Sequence, residues 1–161
     1  MARYICSVTA DVEAGLFAMS DCKGLLILDS GATVTMGGVN LLEDVQMFFV
    51  KSCQYSLPVH QATPMVITFA NSTRDKCVTV TDVPYPQLGI YFRIRVLSAD
   101  GPLLAGEDLH INLGLVVDHT IPRVYSKKLK CEIPVIRLAS KHLAIGLCSE
   151  ETVRLMKSAP E

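Results

Sequence analysis

The sequence predicts a single all-β domain carrying one to three short helices. Valine, isoleucine and threonine are abundant and tryptophan is absent, which is the composition of pleated, half-buried chain. Gly, Pro, Asn and Asp interrupt the apolar stretches about every ten residues, the rhythm of short strands joined by turns. Ile90 to Leu97 alternates cleanly, with Ile90, Phe92, Ile94 and Val96 on one face and Tyr91, Arg93 and Arg95 on the other. A chain of 161 residues fits one domain at roughly 150 residues each.

Leu25 to Leu28 is a continuous apolar run, as expected of a strand buried on both faces. Asn40 followed by Glu43 predicts a helix start with a reciprocal cap, after which Leu41, Leu42, Val45, Phe48 and Phe49 recur at helical spacing. Met65 to Phe69, the polar stretch Asn71 to Asp75, and Cys77 to Thr81 read as a β-hairpin with an exposed tip. Leu103-Leu104 and Leu115-Val116-Val117 are further candidates for central strands. Between them, Glu107 to Leu113 predicts a helix, with acids at its positive end, Leu109 and Leu113 on one face, and Gly114 to stop it. Arg123 to Lys130, with Lys127, Lys128 and Lys130, reads as a solvated strand or turn. Ile133 to Leu138 is an added strand or interface element, and a short helix follows Ser149.

A net charge of -1 with 19% charged residues excludes a strongly basic nucleic-acid binder. No apolar run approaches the roughly 18 residues of a membrane span, and the start has no secretory h-region. A cytoplasmic chain is therefore expected, with no membrane or nucleic-acid partner. The six cysteines and four histidines are scattered without C-x-x-C spacing, so reduced thiols are expected rather than a structural metal.

The informative segment is Gly24 to Thr33, where Asp29 follows directly on the apolar run and Ser30, Gly31, Ala32 and Thr33 form a turn. A carboxylate at the end of a buried strand is costly to charge, and Gly31 permits a sharp turn that aims it. Leu103, Leu104, Ala105 and Gly106 repeat the pattern of apolar strand and glycine before a helix. Together these residues resemble the Asp-(Thr/Ser)-Gly-Ala motif and the second motif of the retropepsin-like aspartic proteases of retroviruses and retrotransposons.

The resemblance covers about residues 20 to 120 of a single domain spanning 1 to 161, and leaves a C-terminal extension from about residue 119. It implies an acid-protease half, closed as a β-barrel, with a flap hairpin whose substrate-binding tip holds Ala70, Asn71, Ser72 and Thr73. It further implies that Asp29 is catalytic and that Ser30, Gly31, Ala32 and Thr33 support its loop. Leu103, Leu104 and Gly106 would form the second motif. With only one D-S-G, two chains must pair as a homodimer for activity, each lending Asp29. The substrate would be a peptide or the polyprotein of a retrotransposon-like element, cleaved without metal or cofactor. One departure is that no glycine lies between Val66 and Val80, where family flaps are Gly-rich. That departure motivates the alternative, a non-catalytic dimerisation or peptide-binding module of the same fold.

Overall fold

The computed structural model describes residues 2–3, 22–68 and 74–158. Among these residues twelve strands and three helices follow in the order β1 (Ala2–Arg3), β2 (Leu25–Leu28), β3 (Met36–Gly38), α1 (Val39–Cys53), β4 (Val59–Thr68), β5 (Arg74–Tyr85), β6 (Ile90–Leu97), β7 (Leu103–Ala105), α2 (Glu107–Leu113), β8 (Leu115–Asp118), β9 (Arg123–Ser126), β10 (Cys131–Ile133), β11 (Ile136–Arg137), β12 (Leu143–Gly146) and α3 (Glu150–Ser158). The domain is β-rich, and the predicted strand Ile90–Leu97 and helix Glu107–Leu113 lie where the sequence places them.

Nine strands form one mixed sheet in the order β1-β4-β5-β6-β3-β7-β2-β12-β11, and β10-β9-β8 form a second. Among the described residues no closed barrel exists. Closure requires the two edge strands to pair, but β1 and β11 lie at opposite ends of the order, and β11 is only two exposed residues. β2 lies between β7, its parallel neighbour, and β12, its antiparallel one. With both edges occupied and both faces covered, Leu26 and Ile27 are fully buried, which is why that segment reads as an unbroken apolar run.

Helix α1 buries Leu41, Leu42, Val45 and Phe49, as their spacing requires, and packs on β3 and β6. The cap differs from expectation. Gly38 occupies the N-cap position with no side-chain bond, because it lies against the 99–101 turn, where a Cβ would come within 2.2 Å of the Gly101 nitrogen. Asn40 is already helical and accepts the Gly101 N–H through Oδ1 at 3.1 Å, tying helix to turn instead of capping. At α3 the cap is local: Ser149 Oγ accepts the Thr152 N–H at 3.1 Å.

Leu115 to Val117 is not a central strand. β8 is an edge of the small sheet, where Val116 faces solvent and Leu115 and Val117 are half-buried. Ile133 to Leu138 splits at Pro134 into β10 and β11, which join different sheets. Cys53, Cys77, Cys131 and Cys148 are free thiols. Among the described residues no helix is long and apolar enough to cross a membrane.

Candidate active site

Asp29 leaves the end of β2, where its backbone N–H donates to the Ala105 carbonyl of β7 at 3.0 Å, extending the parallel pairing of the two strands by one step. The chain then folds back on itself. The Ala32 N–H donates to the Asp29 carbonyl at 3.1 Å, and the Gly31 N–H donates to Asp29 Oδ1 at 2.9 Å. The carboxylate therefore organises its own turn. Ala32 is fully buried as the turn's anchor, whereas Ser30, Gly31 and Thr33 are exposed.

The second motif closes over this turn. The Glu107 N–H, at the start of α2, donates to the Ala32 carbonyl at 2.7 Å. Gly106 is pressed so closely against the loop that a Cβ there would lie 2.4 Å from the Val34 carbonyl oxygen and 2.9 Å from that of Ala32. Only glycine fits without moving backbone. Leu103, Leu104 and Ala105 are buried beneath it. The sequence-predicted residues Asp29 to Thr33 and Leu103 to Gly106 are thus brought together, although more than seventy residues separate them. Ala70, Asn71, Ser72 and Thr73 lie outside the described residues.

Two residues of this assembly escaped the sequence reading. The Gly106 N–H donates to Thr35 Oγ1 at 3.2 Å, and that hydroxyl donates to Asp108 Oδ1 at 2.7 Å. Asp108 also accepts the Leu109 N–H at 2.7 Å. Thr35 is a buried polar residue satisfied on both sides, so it bolts the loop to the first turn of α2. Its only trace in the sequence is a threonine two positions past the motif, which has no local periodicity to mark it.

Asp29 is 7% exposed. One of its oxygens is engaged by Gly31, and the other, Oδ2, is buried without a hydrogen-bond partner. An unmatched carboxylate oxygen inside a protein costs free energy. It is the kind of group a site keeps for a partner supplied from outside, such as water, substrate or a second carboxyl sharing a proton. Ser30 and Gly31 beside it are exposed. Comparison with known proteins finds no match to any family model, curated protein or solved structure.

Proposed function

We propose that the chain is a retropepsin-like aspartic endopeptidase that acts as a homodimer. The observation that carries this reading is the buried Asp29 carboxylate with its unpartnered Oδ2, held on a D-S-G-A-T turn that Gly106 and α2 clamp from behind. In a dimer the two Asp29 carboxyls would meet across a two-fold axis and share one proton, since two like charges at close range do not both ionise. The ionised one takes a proton from water as that water attacks the scissile carbonyl. The protonated one donates to the carbonyl oxygen; the carboxyl that took the water proton then passes it to the leaving amine as the C–N bond breaks, and the tetrahedral diol returns a proton to the other carboxyl. No metal or organic cofactor enters this chemistry. The Ser30 hydroxyl and the Gly31 backbone brace one loop against its copy, and the β4–β5 hairpin would cover an extended peptide or a retrotransposon-type polyprotein.

The test compares cleavage of a mixed peptide library between about pH 4 and 7 by wild type and Asp29→Asn, with solution mass recorded alongside. A dimeric wild type that cuts, beside a dimeric Asp29→Asn slowed by about 10²- to 10⁴-fold or more, is expected. Activity surviving in Asp29→Asn overturns the mechanism. Two folded, silent dimers would instead favour the non-catalytic module, to which the glycine-free stretch from Val66 to Val80 already points.

A further inference from the structure

A groove of about 360 Å³ runs between α2 and β6, and neither Asp29 nor its turn lines it. One wall is the alternating face of β6 that carries Tyr91, Arg93 and Arg95; the other is α2 with Leu109, Asn112 and Leu113. Lys128, from the lysine-rich turn after β9, completes the lining. The lining holds three cations against the single carboxylate of Asp108, in a chain whose net charge is -1.

Those charges are not equally committed. Arg93 is spent on Asp82, to which it donates through two nitrogens at 2.8 and 3.0 Å. Asp108 is occupied by Thr35 and the Leu109 N–H. Arg95 donates to the Thr63 carbonyl at 3.3 Å, and neither Arg95 nor Lys128 pairs with a carboxylate among the described residues.

The position of Lys128 is fixed by its backbone. The Lys127 N–H donates to the Gly114 carbonyl at 3.0 Å and the Lys128 N–H to that of Leu113 at 3.2 Å, while Ser126 Oγ donates to the same Leu113 carbonyl at 2.6 Å. The end of α2 is thereby satisfied by backbone and hydroxyl groups, and the ammonium groups of the turn remain for solvent or a ligand. Complementing the α2 dipole accounts for a cation at this helix end, but not for Arg95 on the opposite wall.

We propose that this groove docks an acidic peptide segment, with carboxylates meeting Arg95 and Lys128 and an apolar side chain between them resting on Leu109, Leu113 and the exposed Tyr91 ring. A nucleic-acid strand is the poorer fit, because so small a charge surplus releases few counterions and the apolar walls have nothing to bury from a phosphodiester. The peptide uses both features. The proposal does not depend on catalysis at Asp29.

The probe is a fluorescein-labelled hexapeptide, Glu-Asp-Leu-Phe-Glu-Asp, titrated by anisotropy at about 50 mM salt, where surface charges are only partly screened. Saturable binding is expected, weakened at least about tenfold by Arg95→Gln combined with Lys128→Gln, and similarly when the peptide's acids are replaced by Gln and Asn. Asp29→Asn should bind as wild type does, so loss of the protease reading would leave this result standing. Because Arg95 also holds Thr63, Lys128→Glu serves as a second variant. Its side chain is exposed, and it should weaken binding several-fold with an unchanged melting temperature. No saturable binding by wild type, equal binding by the double variant, or tighter binding of a labelled single-stranded oligonucleotide would each overturn the proposal.

Discussion

The clamp around Asp29 and the β4–β5 hairpin draw on the same strand-forming residues, yet they are fastened in different ways. In the clamp, β2 is buried from Leu26 to Leu28 and β7 along its length, and Asp29, Ala32, Thr35 and Gly106 are joined by hydrogen bonds that cross more than seventy residues of sequence. In the hairpin the ladder is mostly backbone to backbone. Of the ten residues of β4 only Ile67 is buried, Val59 is 66% exposed, and the register slips between Gln61 and Met65, where Pro64 has no N–H to give. The lesson is that the motif carrying the carboxylate is held by packing and converging polar bonds, whereas the hairpin has little beyond its ladder to keep it closed. Amides of β4 at 59 to 63 should therefore exchange at least about 10²-fold faster than those of β2 and β7, whose opening requires near-global unfolding.

The strongest way to break the clamp is Gly106→Ala. The new methyl group would meet backbone carbonyls at 2.4 and 2.9 Å, which cannot rotate away as a side-chain tip would. A loss of about 3 kcal/mol or more is expected in urea unfolding, with protection in β2 and β7 falling to that of the hairpin. Thr35→Val comes next. It keeps the shape but orphans the Gly106 N–H and one bond of Asp108, for about 1–3 kcal/mol. Thr35→Ser should recover most of that loss, an outcome that separates the hydroxyl's contribution from the methyl's.

How far this division was legible depends on the distance over which each feature is encoded. Leu25 to Leu28, Ile90 to Leu97 and Glu107 to Leu113 could be read directly, because burial on two faces, on alternate faces and on one helical face each leave a local period. The turn at Asp29 was legible as Asp, Ser and Gly in a row. The bolt from Thr35 to Asp108 was not, since a lone threonine and a lone aspartate 73 residues apart carry no pattern until the chain is folded. Asn40 misled for the same reason: its partner, Gly101, lies 61 residues away, so the local cap was the simplest use for its side chain. Leu115 to Val117 misled through composition. Three apolar residues in a row mark a strand, but they do not reveal that its sheet has only three strands and a wet face.

The hairpin does have polar fastenings, and one of them offers a smaller effect. Asp75, near the start of β5, accepts the Ser98 N–H at 2.9 Å, the Ser98 hydroxyl at 2.9 Å and the Ala99 N–H at 3.3 Å, pinning the strand to the turn after β6. Asp75→Ala should cost about 1 kcal/mol, because the group is half exposed and water replaces part of what is lost. Exchange from β5 around Cys77 should quicken about fivefold while β2 and β7 remain unchanged. An equal change in both regions would mean that the hairpin and clamp open as one unit.

The smallest effect is electrostatic and has a defined sign. Asp82 on β5 accepts hydrogen bonds from Arg93 and lies 3.1 Å from His60 Nε2. The Arg93 hydrogen bond holds its pKa below the ordinary carboxylate value against an opposing cost of burial, and the charges of Arg93 and His60 add to the lowering. A carboxyl whose pKa is lowered by folding stabilises the fold above its unfolded value, near 4, and loses that contribution as pH falls through the folded value. Arg93 is 64% exposed, so solvent screens most of the gain. Asp82→Asn is thus expected to lower the melting temperature by no more than about 2 °C at pH 7. The difference between variant and wild type should shrink as pH falls below about 4, because the wild-type carboxyl is then progressively neutralised as well. A difference that did not shrink would assign the role of Asp82 to packing across β5 and β6 rather than to charge.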